Sequence, residues 1–420
     1  MKQKKGTKMN KHWMVLFAAG LGLAVGCGSL LSTEARANKR NSDITVACYY
    51  FGQFHPNDPR NLKVRGGEWS EWELVKEARP RFPGHQQPKV PLWGYEDESD
   101  PKAMAKKIDA AANHGVDVFI FDWYHYDDGP FLERPIDNGF LKAKNSHRIK
   151  FALMWANHDW QKNLFPYKKG DPREILYPGK VSPGNFAKIC DHVIKDYFLH
   201  PSYWKIDGKP YFSFFDLTKL LSNFGSVEAT RAGLDTFREK VIAAGLPGLH
   251  LNTLVLGGEF FLPGEKVPLD SAKLIRDLGF DSVTSYGWAN HVPLPEQQTD
   301  YNQVRDGYFK YWDKAAALFG VPYYPNVTMG WDVSPRCDQS VAFDNSGYPF
   351  MNVIGNNTPE NFETALRLTK ERLQADPKGP RIFNINCWNE WTEGSYLEPD
   401  TLNGYGYLEA LKRVFVEGCK

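Results

Sequence analysis

The sequence predicts an α/β fold, a closed (β/α)8 TIM barrel in a single domain with long βα loops. Strand-like and helix-like segments alternate about eight times after residue 43, which indicates a parallel sheet with crossover helices. Polar or aromatic residues follow most of the predicted strands, where the active site of such a barrel lies. The alternative is an open doubly wound sheet, and the lack of a glycine-rich first turn argues against it.

The predicted strands are short apolar runs bounded by turn residues. They cover residues 44–51, 117–124, 150–156, 211–216, 250–255, 280–286, 323–329 and the start of 381–400. The predicted helices have apolar residues at helical spacing and cover 100–114, 132–144, 185–199, 226–244, 271–278, 302–319, 359–374 and 405–416. Residues 57–98 form a long irregular stretch whose aromatic side chains argue against disorder.

Residues 1–37 are a predicted export signal and tether, and residues 38–420 form the predicted catalytic barrel. Five lysines precede the apolar run at 13–25, as in a secretory signal with a basic n-region and a short h-region. Residues 23–27, LAVGC, resemble a bacterial lipoprotein signal, which makes Cys27 the predicted lipidation site. A rival cleavage site, ARA, lies at 35–37. Either site predicts an exported protein in the periplasm or at the cell surface. Lipidation of Cys27 adds membrane contact through the lipid anchor alone.

The composition argues against nucleic-acid binding. Without the five N-terminal lysines, 46 basic residues face 50 acidic residues, a net charge of −4. No basic face follows from this balance, and nothing resembles a phosphate-cradling glycine loop. The cysteines show no zinc spacing, so we predict no metal and no cofactor. The aromatic content of 14% is common in carbohydrate-handling proteins, although a large aromatic core is an alternative. We expect a monomer.

Two glutamates, Glu390 and Glu393, are the candidate catalytic residues. They follow the eighth predicted strand and are flanked by Trp388 and Trp391. If the chain turns there in a helical sense, residues i and i+3 project to one side, so the two carboxyl groups can share a pocket. Paired carboxyl groups break glycosidic bonds, and tryptophan faces suit sugar rings. The alternative is two solvated glutamates in a loop.

Polar or aromatic residues at the other strand ends are the candidates for substrate binding. They are Tyr50, Tyr124, His125, Asn157, His158, Asp216, Tyr286, Trp288 and Trp331, with Asn389 and Trp391 beside the glutamates. Core packing is the alternative role for several of them, and capping of the following loop is the alternative for Asp216.

Several motifs resemble those of the WbsX-like family. They are CYYFGQFHP (48–56), WSEW (69–72), GHQQP (84–88), WAN (155–157), WNEWTEG (388–394) and YLEPD (396–400), within a resemblance that covers most of residues 44–400. Members of that family are labelled glycosyltransferases but are similar in fold to family 99 glycoside hydrolases, which are retaining endo-α-mannosidases on a (β/α)8 barrel. The resemblance therefore implies an oligo- or polysaccharide substrate.

The resemblance also implies roles for the glutamates. Family 99 enzymes share an NEWxEG element, which residues 389–394 match. By that match Glu390 acts as the base on the sugar 2-hydroxyl, giving a 1,2-anhydro intermediate, and Glu393 acts as general acid and then base. One departure is His158, where the WbsX-like pattern WANENW has a glutamate. This change implies that the loop binds something different, such as an acidic or substituted sugar, so the α-mannose specificity does not transfer.

The sequence thus predicts an exported, retaining glycoside hydrolase that cuts within a polysaccharide or glycan. Two rivals keep the barrel. The first is a glycosyltransferase, against which export argues because nucleotide sugars are cytoplasmic. The second is a non-catalytic carbohydrate-binding protein, which does not need both Glu390 and Glu393.

Overall fold

Eight parallel strands dominate the computed structural model, which describes residues 43–161 and 165–417. The strands are β1 Thr45–Phe51, β2 Val118–Tyr126, β3 Lys150–Trp155, β4 Lys209–Phe214, β5 His250–Leu254, β6 Ser282–Thr284, β7 in two parts Tyr323–Tyr324 and Asn326–Thr328, and β8 Ile382–Asn386. The predicted export signal, tether and lipidation site at Cys27 lie outside the described residues.

The strands form a ring that closes through β7. Strands β1 to β6 pair in sequence order, each parallel to the next. The first part of β7 pairs with β6 and the second part pairs with β8, which pairs back to β1. The interruption falls at Pro325, which has no N–H to contribute to the ladder. The predicted (β/α)8 barrel is therefore confirmed.

Helices follow the strands, and most begin at a side chain that caps the first turn. They are α1 Pro59–Arg65, α2 Trp72–Glu77, α3 Pro101–Asn113, α4 Pro183–Val193, α5 Leu217–Phe224, α6 Val227–Ala243, α7 Ser271–Leu278, α8 Tyr301–Leu318, α9 Pro359–Ala375 and α10 Gly406–Lys412. The helix expected over residues 132–144 is instead a π-helical turn, Pro135–Phe140. Among the described residues, no helix is both long enough and apolar enough to cross a membrane.

The long loop after β1 packs on the end of the barrel where the strands finish. It contains α1 and α2, and the Trp72 ring contacts the rings of Phe54 and Trp391 at centroid distances of 4.3 and 5.7 Å. The Trp72 indole N–H donates to the backbone oxygen of Glu96 at 2.9 Å. These buried contacts place Glu71, the residue before α2, beside the loop that follows β8.

Candidate active site

A cavity of about 530 Å³ lies at the C-terminal ends of the strands. Its walls come from the ends of β1 to β4 and from the loops that follow β6, β7 and β8. Of the residues that the sequence analysis selected, six line this cavity: Tyr124, His158, Tyr286, Trp331, Glu390 and Glu393. Catalytic residues of (β/α)8 enzymes occupy this end of the barrel, so the cavity is the candidate active site.

Glu390 and Glu393 face the same guanidinium. Glu390 ends a two-residue strand after β8, and a single 3-10 turn, Trp391–Glu393, brings Glu393 to the same cavity. Arg336 Nη2 lies 3.0 Å from Glu390 Oε2, and Arg336 Nη1 donates to Glu393 Oε1. The glutamates are 4% and 6% exposed, so the three groups form a buried charge cluster.

Arg336 is held by acidic and aromatic groups. It ends the 3-10 turn Ser334–Arg336 in the loop after β7. Its guanidinium also contacts Glu71 Oε1 at 3.3 Å and lies over the ring of Phe165 at 4.6 Å. Burial opposes the positive charge, but the nearby Tyr348 and the acidic groups outweigh it and raise the pKa of Arg336. The guanidinium therefore stays charged.

The two glutamates compete for charge within this cluster. Burial raises the pKa of both carboxyl groups, and the Arg336 guanidinium opposes that rise. Glu393 also raises the pKa of Glu390, and Glu71 raises the pKa of both. The Tyr348 hydroxyl donates to Glu393 Oε1 at 3.0 Å and stabilises its charged form, and no such donor acts on Glu390 among the described side chains. The pair is therefore suited to share one proton.

A third carboxyl group, Asp122, lies in the same cavity at the end of β2. Its Oδ2 accepts a hydrogen bond from the Tyr286 hydroxyl at 2.9 Å. Burial raises the pKa of Asp122 well above its ordinary value, because that single donor does not replace the lost water. Burial therefore favours the protonated form of Asp122.

A buried ion cluster holds the segment that carries the glutamates. Lys107 of α3 is 1% exposed, and its Nζ lies 2.8 Å from Glu98 Oε1 and 2.6 Å from Glu398 Oε1. The two oxygens of Glu398 accept the indole N–H groups of Trp388 and Trp391 at 2.9 and 2.8 Å. These bonds fix the chain on both sides of Glu390.

Three of the predicted binding residues belong to this support rather than to the cavity wall. The Tyr50 hydroxyl donates to Glu98 Oε1 at 2.9 Å, and the Asn389 amide donates to the same oxygen at 2.6 Å. The Trp391 ring stacks on the Tyr396 ring at 3.8 Å between centroids. All three are 0% exposed, so the structure corrects the expectation that they line the cavity.

Four other predicted binding residues also lie away from the cavity. His125 follows Tyr124 on β2, and side chains alternate between the faces of a strand; its ring packs beside Trp123 instead. The remaining three make structural bonds. Asn157 exchanges two hydrogen bonds with the backbone of Asp216, Asp216 caps α5 through the backbone N–H of Lys219, and the buried Trp288 donates to the backbone oxygen of Asn326.

His158 lines the cavity as an uncharged ring. Its Nδ1 lies 3.1 Å from the backbone oxygen of Asp159, which fixes Nδ1 as the donor. Burial lowers the pKa of His158, so the imidazole is neutral near pH 7 and offers Nε2 as an acceptor. His158 stands where the family pattern has a glutamate, but its ring carries no positive charge with which to bind an acidic sugar.

No group of three or more His, Cys, Asp or Glu side chains in residues 43–161 and 165–417 is arranged to hold a metal ion. The four cysteines in these ranges, Cys48, Cys190, Cys337 and Cys387, are buried and unpaired.

Comparison with known proteins assigns the family. The model of the family described as glycosyltransferase WbsX matches residues 46–411, which is most of the chain. The chain belongs to the WbsX family. This confirms the resemblance drawn from the motifs. Two proteins called uncharacterized protein WxcX, from two strains of Xanthomonas campestris pv. campestris, are 28% identical to this WbsX-family chain over 379 residues. The match covers 88% of the chain but 49% of each relative, so the chain spans about half their length.

Solved structures with the same architecture include glycoside hydrolases. The GH99 endo-alpha-mannosidase from Bacteroides thetaiotaomicron is similar with a TM-score of 0.51 and 16% identity, over 88% of this chain and 96% of that enzyme. A structure called glycoside hydrolase-like protein has a TM-score of 0.55 and 15% identity, over 89% and 94% of the two chains. At these identities the likeness establishes the fold, and the activity is argued from the cavity.

Proposed function

We propose that this WbsX-family protein is a retaining glycoside hydrolase that cleaves within an oligo- or polysaccharide. One observation carries the proposal: Glu390 and Glu393 meet at the Arg336 guanidinium in a cavity at the carboxyl ends of the strands. A binding protein needs no such pair, since two buried carboxyl groups sharing one cation cost stability. The barrel shared with glycoside hydrolases supports the assignment.

The proposed reaction has two steps. In the first, Glu390 takes the proton of the sugar 2-hydroxyl, the freed oxygen attacks the anomeric carbon, and Glu393 gives its proton to the departing glycosidic oxygen. The product is a 1,2-anhydro sugar. In the second step Glu393 takes a proton from water and the water oxygen attacks the anomeric carbon. The bond between that carbon and O2 breaks, and O2 regains its proton from Glu390. Two inversions retain the configuration.

Arg336 suits this exchange because it contacts both carboxyl groups. In the first step the negative charge moves from Glu390 to Glu393, while the charge of the pair as a whole is unchanged. A guanidinium bonded to both oxygens stabilises the charge before and after the transfer. No side chain has to move to follow the charge.

The bound sugar sets which glutamate carries the proton. The Tyr348 hydroxyl by itself favours the charged form of Glu393, which is the reverse of the starting state of the reaction. A 2-hydroxyl donates to Glu390 and favours its charged form, whereas a glycosidic oxygen can only accept and favours a protonated Glu393. Substrate binding therefore moves the shared proton to Glu393.

A glycosyltransferase is the second candidate, and the description of the family favours it. Its donor would bring a diphosphate into the cavity. The Arg336 charge is already shared by Glu71, Glu390 and Glu393, and Asp122 adds a fourth carboxyl group. A diphosphate would face these acids, so the cavity favours hydrolysis of a neutral glycan.

A glycan panel tests the assignment. The purified protein is incubated with end-labelled fragments of α-mannan, xylan, pectin and bacterial O-polysaccharide, and separately with nucleotide sugars and the same fragments as acceptors. We expect shortened fragments with wild type and none with Glu393→Gln. Lengthened fragments would support the transferase. Binding without turnover would support a non-catalytic binder, and cleavage that survives Glu393→Gln would show that the acid is another residue.

We also propose that the protein is exported and anchored by a lipid on Cys27, on the basis of the N-terminal sequence alone. Mass spectrometry of the mature N-terminus tests this. A diacylglyceryl-modified Cys27 supports the anchor, cleavage after Ala37 supports export without it, and an intact Met1 contradicts both.

A further inference from the structure

A second cavity, of about 300 Å³, lies beside the active-site cavity. Trp331 belongs to the walls of both, and Gly394, the residue after Glu393, belongs to the wall of the second. Most of the other walls come from the loop after β1, the loop between β7 and α9, and the chain between β8 and α10. Both cavities are therefore built from loops at the same end of the barrel.

Two chain segments in close contact separate the cavities. The Asp332 N–H donates to the backbone oxygen of Glu393 at 2.6 Å. Gly394 has a φ of +65°, and a Cβ there would lie 2.7 Å from the Cβ of Asp332. A Cβ on Gly330 would lie 2.4 Å from the Gly394 oxygen. The partition is therefore thin, and a glycan chain that lies across this end of the barrel can place sugar units in both cavities.

The wall of the second cavity is held in place by Asp332. Its Oδ2 accepts hydrogen bonds from His85 Nε2 at 2.8 Å and Gln87 Nε2 at 2.7 Å, and its Oδ1 accepts the Ser334 N–H at 3.1 Å. His85 Nδ1 accepts the Arg81 N–H at 3.1 Å, which leaves the hydrogen of the ring on Nε2. These bonds fasten the loop after β1 to the loop after β7, so the wall is formed before any ligand binds.

Other polar groups of this wall are open to a ligand. Asn357 and Asn403 are half-buried; each donates from Nδ2 to the protein, while its Oδ1 accepts no hydrogen bond from a described residue. Likewise, the exposed Gln86 amide and the Lys89 ammonium group have no side-chain partner within the described ranges. Amide oxygens accept, amide and ammonium N–H groups donate, and a sugar hydroxyl does both. The wall therefore matches the hydroxyl groups of a sugar.

A third cavity, of about 280 Å³, adjoins the second. The two share Gln86, Lys89 and Leu402, whereas the third shares no lining residue with the active-site cavity. The second cavity therefore lies between the other two. Three adjoining cavities suit an extended ligand better than a single small molecule.

We propose that the second cavity is a distal subsite, which binds a sugar unit of the same glycan chain that is cleaved at Glu390 and Glu393. This inference rests on the proposed function, because it takes the ligand to be the substrate of that site. Contacts with a remote unit supply binding energy that short substrates lack. The subsite would thus make the protein prefer long chains and cleave within them.

Fragment length tests the subsite. The panel glycan that wild type cleaves or binds is prepared as fragments of two to eight sugar units. Turnover is followed by kcat/KM and affinity by calorimetry. The double variant Gln86→Ala/Lys89→Ala removes two open groups of the wall, and Gln86→Trp places a bulky ring where the second and third cavities meet. Lys314→Ala, at an exposed position on α8, serves as the control, and thermal melting checks that each variant folds.

In wild type we expect kcat/KM to rise with fragment length until a sugar unit reaches the second cavity. The double variant should lower the ratio of kcat/KM for the longest fragment to that for the shortest cleaved fragment by about 10-fold. Gln86→Trp should lower the same ratio, and Lys314→Ala should not change it. A general loss of folded protein lowers both values alike, so the ratio reports the distal contact. A wild-type kcat/KM that is independent of length, or an unchanged ratio in both cavity variants, would overturn the proposal.

The two proposals fail in different ways. If wild type cleaves no fragment but binds long ones more tightly, and the cavity variants abolish that gain, the hydrolase assignment fails and the subsite stands. If wild type cleaves and the cavity variants keep its length dependence, the hydrolase stands and this inference fails. If no fragment is cleaved or bound, both fail.

Discussion

The side-chain amide of Asn389 forms two hydrogen bonds with the backbone of Phe51. Asn389 Nδ2 donates to the Phe51 oxygen at 2.7 Å, and Asn389 Oδ1 accepts from the Phe51 N–H at 2.9 Å. Phe51 is the last residue of β1, so the amide extends the ladder between β1 and the chain after β8. Because Glu390 is the next residue, this contact fixes where its side chain enters the cavity.

Asn389→Ala should therefore lower both stability and turnover. It leaves two buried backbone groups unpaired, at a cost of about 1–3 kcal/mol each, and frees the chain beside Glu390. We expect a lower urea midpoint and a larger fall in kcat than in KM. The exposed Asn113 serves as the control, since Asn113→Ala removes a surface bond with Arg148 and should change neither. Unchanged kcat in a folded Asn389→Ala would contradict the positioning role.

Replacement of Arg336 should affect catalysis more than binding. Arg336→Met leaves Glu71, Glu390 and Glu393 without their shared cation, so their pKa values rise further and both glutamates become protonated. We expect kcat/KM to fall by about 100-fold or more. In the pH profile of kcat/KM, the rise on the acidic side should move to higher pH. Arg336→Lys should recover part of the lost kcat/KM, because an ammonium group restores the positive charge but lacks the planar, two-pronged donor geometry of the guanidinium. If the acidic side of that profile does not move in Arg336→Met, the guanidinium does not control the protonation of Glu390 and Glu393.

The sequence predicted the barrel and the glutamate pair because both are local signals. Apolar runs and helical spacing mark each strand and helix, and Glu390 and Glu393 lie three residues apart. Arg336 was missed because it lies in an irregular loop with no period, and its partner Glu71 is far away in the chain. Asp122 was missed because it lies within an apolar strand that reads as core.

The sequence did not predict the direction in which each side chain points at the strand ends. Neighbouring residues of an extended chain face opposite sides, so a shift of one position separates Tyr124 in the cavity from His125 outside it. Asn389 and Trp391 lie next to Glu390, but their side chains donate hydrogen bonds to the buried Glu98 and Glu398. Identity and position near a strand end do not determine this direction. Contacts with Glu98 and Glu398 do, and they come from other parts of the chain.

Two adjacent lysines allow a matched test of the buried ion cluster. Lys107 is fully buried between Glu98 and Glu398, whereas the Lys106 side chain is 40% exposed and pairs with Glu96. Lys107→Met leaves two buried carboxylates without a cation and should cost about 3–5 kcal/mol in free energy of unfolding. Lys106→Met should cost less than about 1 kcal/mol. Equal losses in urea unfolding would show that the cluster does not stabilise the segment beside the glutamates.

The pH dependence of stability tests whether folding raises the pKa of Asp122. A carboxyl group with a pKa raised by folding stabilises the protein at low pH, and that contribution is lost as pH rises through the folded pKa. Asp122→Asn does not titrate. The melting temperature of Asp122→Asn minus that of wild type should therefore increase from pH 4 upward. A difference that does not change between pH 4 and 9 would show that the pKa of Asp122 is not raised.

The most direct test of the whole account is the kcat/KM of Glu390→Gln, Glu393→Gln and the double variant on the fragment that wild type cleaves. The exposed Glu265→Gln serves as the control. If the two carboxyl groups act on one sugar in one step, each single variant should lose about 10²–10⁴-fold, and the double variant should lose little more than either. Losses that multiply in the double variant, or a single variant within tenfold of wild type, would show that Glu390 and Glu393 do not work as a pair.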